Sequence, residues 1–226
     1  MTLFPMPRCN RVSPTGEILA LASRGRAMGN RGPLIDAEGK IVRHWAYKRW
    51  ICCTLREVNG RKVRFDDPEG YTPLFFTDEA VALAAGHRPC GSCRPHAYYR
   101  WLATWKALAG VSKFERVQAS TMDRELHERR AAQRTRSPIR LRLDEVPNGA
   151  FVKLLTAHSK PLLLHEGRLW PWKDGDYGAP TIIDRSLVDL EAIAFPNVEF
   201  LISGFRFDDE LAPVPADTTE GADCGR

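Results

Sequence analysis

The sequence predicts an α+β fold: a small metal-stapled module with basic N-terminal loops, followed by a mostly β C-terminal region. Three observations predict it. Cys90-Gly91-Ser92-Cys93 forms a C-x-x-C knuckle between two segments of helical pattern. From Ile139 onward, short apolar runs alternate with turn residues, as strands do. Charge is also split along the chain: residues 1–110 carry 17 Lys/Arg against 9 Asp/Glu, residues 111–150 carry 9 against 6, and residues 151–226 carry 7 against 13.

Residues 8–33 are rich in Arg, Gly, Asn and Pro and read as basic loops, with one short strand at Ile18–Leu21. Asp36-Ala37-Glu38-Gly39-Lys40 reads as a hairpin turn. Trp50–Val58 reads as a strand, and Asn59-Gly60 turns it into a second strand over Arg61–Phe65. Thr77 or Asp78 caps a helix that stops at Gly86. Pro95 opens the next helix, which ends before Gly110. There Tyr98, Trp101, Leu102, Trp105, Leu108 and Ala109 recur at helical spacing, as a core-facing stripe does. Ser120 and Asp123 suggest a capping box for a third, mixed-charge helix reaching Arg136, with a solvated face. Ala150–Leu155, Leu162–His165 and Leu169–Trp170 read as strands between turns at Pro147-Asn148-Gly149 and Glu166-Gly167. Residues 174–178 read as a loop, Val198–Phe207 as a last strand, and the chain from Leu211 as a disordered tail. The expected organisation is 1–110 (basic region with the metal module), 111–138 (charged helical connector), 139–210 (mostly β) and 211–226 (tail).

A composition of 43% hydrophobic and 27% charged residues fits a folded globular chain and argues against disorder. No apolar run is long enough for a membrane span, and residues 1–10 lack a signal-peptide core, so a cytoplasmic location is expected, with no membrane partner. In that compartment six cysteines point to metal or redox chemistry rather than a disulfide framework. A C-x-x-C knuckle lets two thiolates reach one zinc ion. Adjacent strand residues point to opposite faces, so one of Cys52 and Cys53 is expected at the metal; Cys53 shares parity with Ile51 and Leu55. His87 is placed with Cys53, Cys90 and Cys93 as a ligand, and Cys9, Cys52, His44 and His96 remain alternatives for the fourth position.

The run from Phe76 to Pro95, with Ala84-Ala85-Gly86-His87-Arg88-Pro89-Cys90-Gly91-Ser92-Cys93-Arg94-Pro95 at its end, resembles the metal-binding module of the Ada family over roughly residues 50–95. More loosely, Asn10-Arg11-Val12 and Met28-Gly29-Asn30-Arg31-Gly32 resemble the N-terminus of a bacterial family of unassigned function that carries such a module. The Ada resemblance implies Zn2+ held by cysteines, with Cys90 and Cys93 as the second pair. It also implies a grip on the DNA backbone and a role in DNA repair or processing. The family's first pair is C-x-x-x-C, whereas this chain has Cys52-Cys53, and its aromatic before Arg-Pro-Cys is His87 here.

The leading expectation is a zinc-binding protein associated with nucleic acid, DNA above all, through Arg24, Arg26, Arg31, Arg88 and Arg94 on phosphates. One alternative is a zinc-thiolate alkyl acceptor of methylphosphotriester type at Cys53 or Cys52. Another is hydrolysis using His44, His127 or His165 with Glu128 or Glu166. A third is a structural zinc protein acting through a protein partner.

Overall fold

The computed structural model describes residues 7–58, 60, 70–132, 138–155, 160–183 and 190–215. Among the described residues, two sheets and four α-helices make an α+β architecture. The first sheet contains β1 (Cys9–Val12), β2 (Ile18–Ala20), β3 (Ala27–Asn30), β4 (Ile51–Thr54), β5 (Leu74–Phe76) and β6 (Arg88–Pro89). Their order is β2-β1-β5-β3-β4-β6; β1–β5 and β4–β6 pair in parallel, the rest antiparallel. Helices α1 (Glu79–Ala84), α2 (Pro95–Leu108) and α3 (Ala119–Ala132) follow.

The second sheet contains β7 (Arg140–Arg142), β8 (Phe151–Leu154), β9 (Leu162–His165), β10 (Arg168–Lys173), β11 (Asp176–Tyr177), β12 (Thr181–Ile182) and β13 (Glu191–Ala194). Its antiparallel order is β11-β10-β9-β8-β13-β7, with β12 also on β10. Helix α4 (Val198–Ile202) is the last regular element among the described residues.

The helix signals hold. Asp78 Oδ1 accepts from Val81 N at 3.0 Å, capping α1, and Gly86 takes the positive φ that ends it. The aromatic stripe of α2 is core: Trp101 stacks on Phe200 with ring centroids 3.7 Å apart. The Asp36–Lys40 turn forms, with Asp36 Oδ1 accepting from Glu38 N and Lys40 N.

Several expectations need correction. Residues 8–33 contain two further strands, β1 and β3, beside the expected one. Their signal is weak because β3 is Ala-Met-Gly-Asn, yet all four residues are buried. Gly29 permits this: a Cβ there would meet Ile51 O at 2.1 Å, so only glycine lets β3 lie against β4. Residues 174–178 are not a plain loop. Asp174 and Gly175 both take positive φ and join β10 to β11 as a tight hairpin.

Val198–Phe207 begins as α4 rather than a strand. Asn197 sits at φ 63 and its Nδ2 donates to Leu83 O, turning the chain so that Val198, Phe200 and Leu201 are all buried. Helix α3 is not merely solvated. It buries Met122, Asp123 and Leu126, and Asp123 binds Arg88 instead of completing a capping box. Leu211 is buried and its carbonyl accepts from Glu79 N, so ordered chain extends past 210. The Asn59-Gly60 turn and the Arg61–Phe65 strand fall largely outside the described residues.

The apolar cores do not follow the boundaries at 110 and 139. One core joins Val12, Phe76 and Val81 to Phe151, Leu163 and Trp170. A second joins Trp101 and Met122 to Val152 and Phe200. No helix of the described residues is long and apolar enough to cross a membrane.

Candidate metal centre and cationic cleft

Strands β4 and β6 position the cysteines. They pair in parallel, with Cys52 opposite Pro89, and Cys90 N donates to Cys52 O at 2.9 Å. The chain then turns through Gly91 and Ser92, Arg94 N donates to Cys90 O at 3.0 Å, and Pro95 starts α2. This brings the sulfurs of Cys53, Cys90 and Cys93 within 4.8 Å of one another. Sulfurs sharing one tetrahedral zinc lie about 3.8 Å apart, so the three fit one ion. All five described cysteines are free thiols.

The electrostatics point the same way. Hydrogen bonds from Cys53 and Cys93, and then from the backbone around Ser92 and Cys93, hold the Cys90 thiol far below its ordinary range despite burial. Its hydrogen bonds with Cys90 and Cys93, together with burial, push Cys53 well above that range. On Cys93 the bond to Cys53 lowers the value, but Cys90 and burial prevail and raise it. Three sulfurs this close cannot all ionise alone; a cation among them would make all three thiolates. The donor set is soft and suits zinc.

Cys52 lies on the other face of β4. Burial raises its thiol, and Arg94 Nη1 approaches its sulfur at 3.7 Å. Cys53, the residue that strand parity singles out, is thus the one beside the knuckle sulfurs, although both faces of β4 are buried. Cys52 and Cys53 are 1% and 7% exposed, which places neither as a surface nucleophile for alkyl transfer. Of the knuckle pair, Cys93 is the more exposed.

His87 does not join the three sulfurs. It is 1% exposed, edge-on to Phe76, and its Nε2 accepts from Arg31 Nε at 3.3 Å. Burial, then the charges of Arg31 and Arg130, drive its pKa well below the ordinary value, so it is a neutral core imidazole. Cys9 is exposed and donates to Ile18 O, His96 is exposed on α2, and His44 lines a cleft elsewhere. Among the described residues no fourth Cys, His, Asp or Glu joins the cluster.

Most of the expected phosphate-binding arginines are occupied. Arg88 Nε and Nη2 each meet an Asp123 carboxylate oxygen at 2.7 Å, out of water. Arg94 bridges Glu79 at 2.5 Å and Asp208 at 2.7 Å. Arg26 donates to Ala212 O and Glu210 O. Arg31 is buried, donating to Gly16 O and lying 4.1 Å over the Trp50 ring. Arg24 is exposed, on the β2–β3 connection.

No protein-family model, curated protein or solved structure matches this chain. The site must be read from its own residues.

At the opposite end of the β4–β6 pair lies a cleft of about 870 Å³. Arg31, Trp50 and Gly86 line it from the first sheet and α1, Arg130 from α3, and Lys153 from the second sheet. Gly86 seats Arg130: a Cβ there would meet Arg130 Cδ at 2.7 Å, and Arg130 Nη1 donates to Gly86 O at 3.0 Å. The segment 42–49, Val-Arg-His-Trp-Ala-Tyr-Lys-Arg, supplies His44 and Trp45 to the cleft's rim, and all of its residues except Ala46 are exposed. Arg31 O accepts from both Ala46 N and Tyr47 N, and Gly32, at φ 96, packs against those residues. Sequence reasoning missed this cleft. Its one local signal was the alternation of aromatic and basic residues over 42–49. The expected hydrolytic pair His165–Glu166 lies on the β9–β10 hairpin, 3.9 Å apart, away from the cleft lining.

Proposed function

We propose that this chain is a metal-thiolate protein that associates with nucleic acid. Cys53, Cys90 and Cys93 hold a zinc ion, and the rim over residues 42–49 meets the phosphate backbone. The convergence of three sulfurs from β4 and the knuckle carries the metal reading. When bound, the ion supplies a cross-link: it ties β4 to the start of α2 and so fixes the first sheet's edge. The nucleic-acid reading rests on Arg43, Lys48 and Arg49, all exposed, interleaved with exposed Trp45 and Tyr47. Basic side chains neutralise phosphates and exposed aromatics stack on bases, the pairing used for single strands.

Elemental analysis of the purified chain tests the first half. One zinc per chain is expected, lost in Cys53→Ser and Cys90→Ser and kept in Cys52→Ser. Metal-free protein with Cys90 and Cys93 readily oxidised to a disulfide would overturn it. A salt titration of single-strand binding tests the second. Replacing Arg43, Lys48 and Arg49 together by Ala should flatten the log–log salt slope by roughly 2–3. An unchanged slope would remove the rim from the interface.

A further inference from the structure

We infer that the cationic cleft is a nucleotide-binding site, with the base against Trp45 and the phosphate facing Arg130 and Lys153. This deepens the nucleic-acid reading and rests on it for the strand form of the ligand.

Size comes first. About 870 Å³ lies within the range of roughly 300–1,000 Å³ found for small-molecule sites and exceeds what a lone phosphate needs. Charge comes second. Of the described residues that line the cleft only Glu199 is acidic, and it is engaged by Arg129, which also pairs with Glu125 at 2.6 Å. Arg130 donates to two neutral carbonyls, Gly86 O and Lys48 O, while its buried Nε has no hydrogen-bond partner. Neutral acceptors hold the guanidinium in place, and the acid that acts on it, Asp123, is already bound by Arg88 through both carboxylate oxygens. Lys153, on β8, adds a second cation.

The neighbouring groups register this field. Burial, then Arg130 and Lys48, lower His127, and burial lowers Arg130 itself to about 10. An entering phosphate would offset the cost of holding these cations in a partly dry wall. The third observation is the ring surface. Trp45 is 41% exposed at the rim and meets His127 edge-on at 4.3 Å, leaving indole surface for a base. Ile193, Ala194 and Phe195 also line the cleft and give it apolar surface suited to a flat ring.

A free mononucleotide and the 5′-phosphorylated end of a single strand present the same chemistry. Both, and inorganic phosphate, would be titrated into the metal-loaded protein by calorimetry: adenosine 5′-monophosphate, and one short single strand with and without its 5′-phosphate. Saturable mononucleotide binding is expected, weakened at least tenfold in Lys153→Ala and in Trp45→Ala with metal content unchanged. Neither side chain is buried, so these variants keep the test independent of folding. If the strand end is the ligand, the 5′-phosphate tightens strand binding at least tenfold and the mononucleotide competes with it. Mononucleotide binding with no strand binding keeps the site and overturns nucleic-acid association. Strand binding that depends on Arg43, Lys48 and Arg49 but is untouched by mononucleotide or by Lys153→Ala keeps that association and overturns the site. Inorganic phosphate binding as tightly as the mononucleotide also overturns it.

Discussion

The two ends of the β4–β6 pair are built from opposite chemistry. At one end three soft sulfurs converge; at the other, hard cationic groups surround an indole. The sulfur end draws its donors from one strand and the knuckle after its neighbour. The cleft end draws on β3, β4, α1, α3 and β8, with guanidiniums held by backbone carbonyls. The difference teaches how each end can fail. On the proposed reading the sulfur end depends on a bound cation, whereas the cleft depends on packing between distant segments.

Arg88 lies between the ends, on β6, and gives the largest expected effect short of metal loss. Its bidentate bond to Asp123 is out of water, and Arg88→Met would strand that carboxylate. A loss of about 3–5 kcal/mol is expected from urea unfolding, with much of it recovered in Arg88→Met/Asp123→Leu. If the two ends share a frame through β6, the single variant also weakens metal retention; full retention would show that they are independent.

Asp78 belongs to neither end and serves as a reference. Burial lifts its carboxyl to about 6, against 3.8 ordinarily, although Tyr177 donates to it at 2.6 Å. The folded state therefore holds the proton more tightly than the unfolded chain. Its contribution to stability is fully present below about pH 3.8 and is lost as pH rises through about 6. Relative to Asp78→Asn, the wild type should lose about 2 kcal/mol between pH 4 and pH 7 in paired denaturant titrations. A pH-independent difference would mean that the carboxylate is better solvated than its 1% exposure implies.

Gly86→Ala gives the smallest effect and separates the ends most cleanly. The residue sits at φ 86, and a Cβ would press on Arg130. A cost of about 1–2 kcal/mol is expected in thermal unfolding, with zinc content unchanged and any cleft ligand weakened. Loss of zinc in this variant would contradict the division between the ends.

Legibility followed the same division. The C-x-x-C knuckle, the Asp78 cap, Gly86 and the helix opened by Pro95 were readable because each is local: its partners lie within a few residues. Strand parity singles out Cys53, which lies beside the knuckle sulfurs, whereas His87 lies outside that group. Nothing in its spacing from Cys90 shows that Trp50, Phe76 and Arg31 enclose it. Arg88 and Arg94 looked like phosphate ligands until Asp123, Glu79 and Asp208 arrived from elsewhere in the chain to neutralise them. Val198–Phe207 has apolar content that fits a strand, but packing on Trp101 selects a helical turn there.

The sequence by itself determined the α+β class, the limits of α1 and α2 and which cysteines form the knuckle, because short-range sterics and capping decide them. Only the tertiary structure decided which cations are spent and which remain. A charge is cancelled by whatever lies within a few ångströms of it, and for Arg88 that partner is 35 residues away.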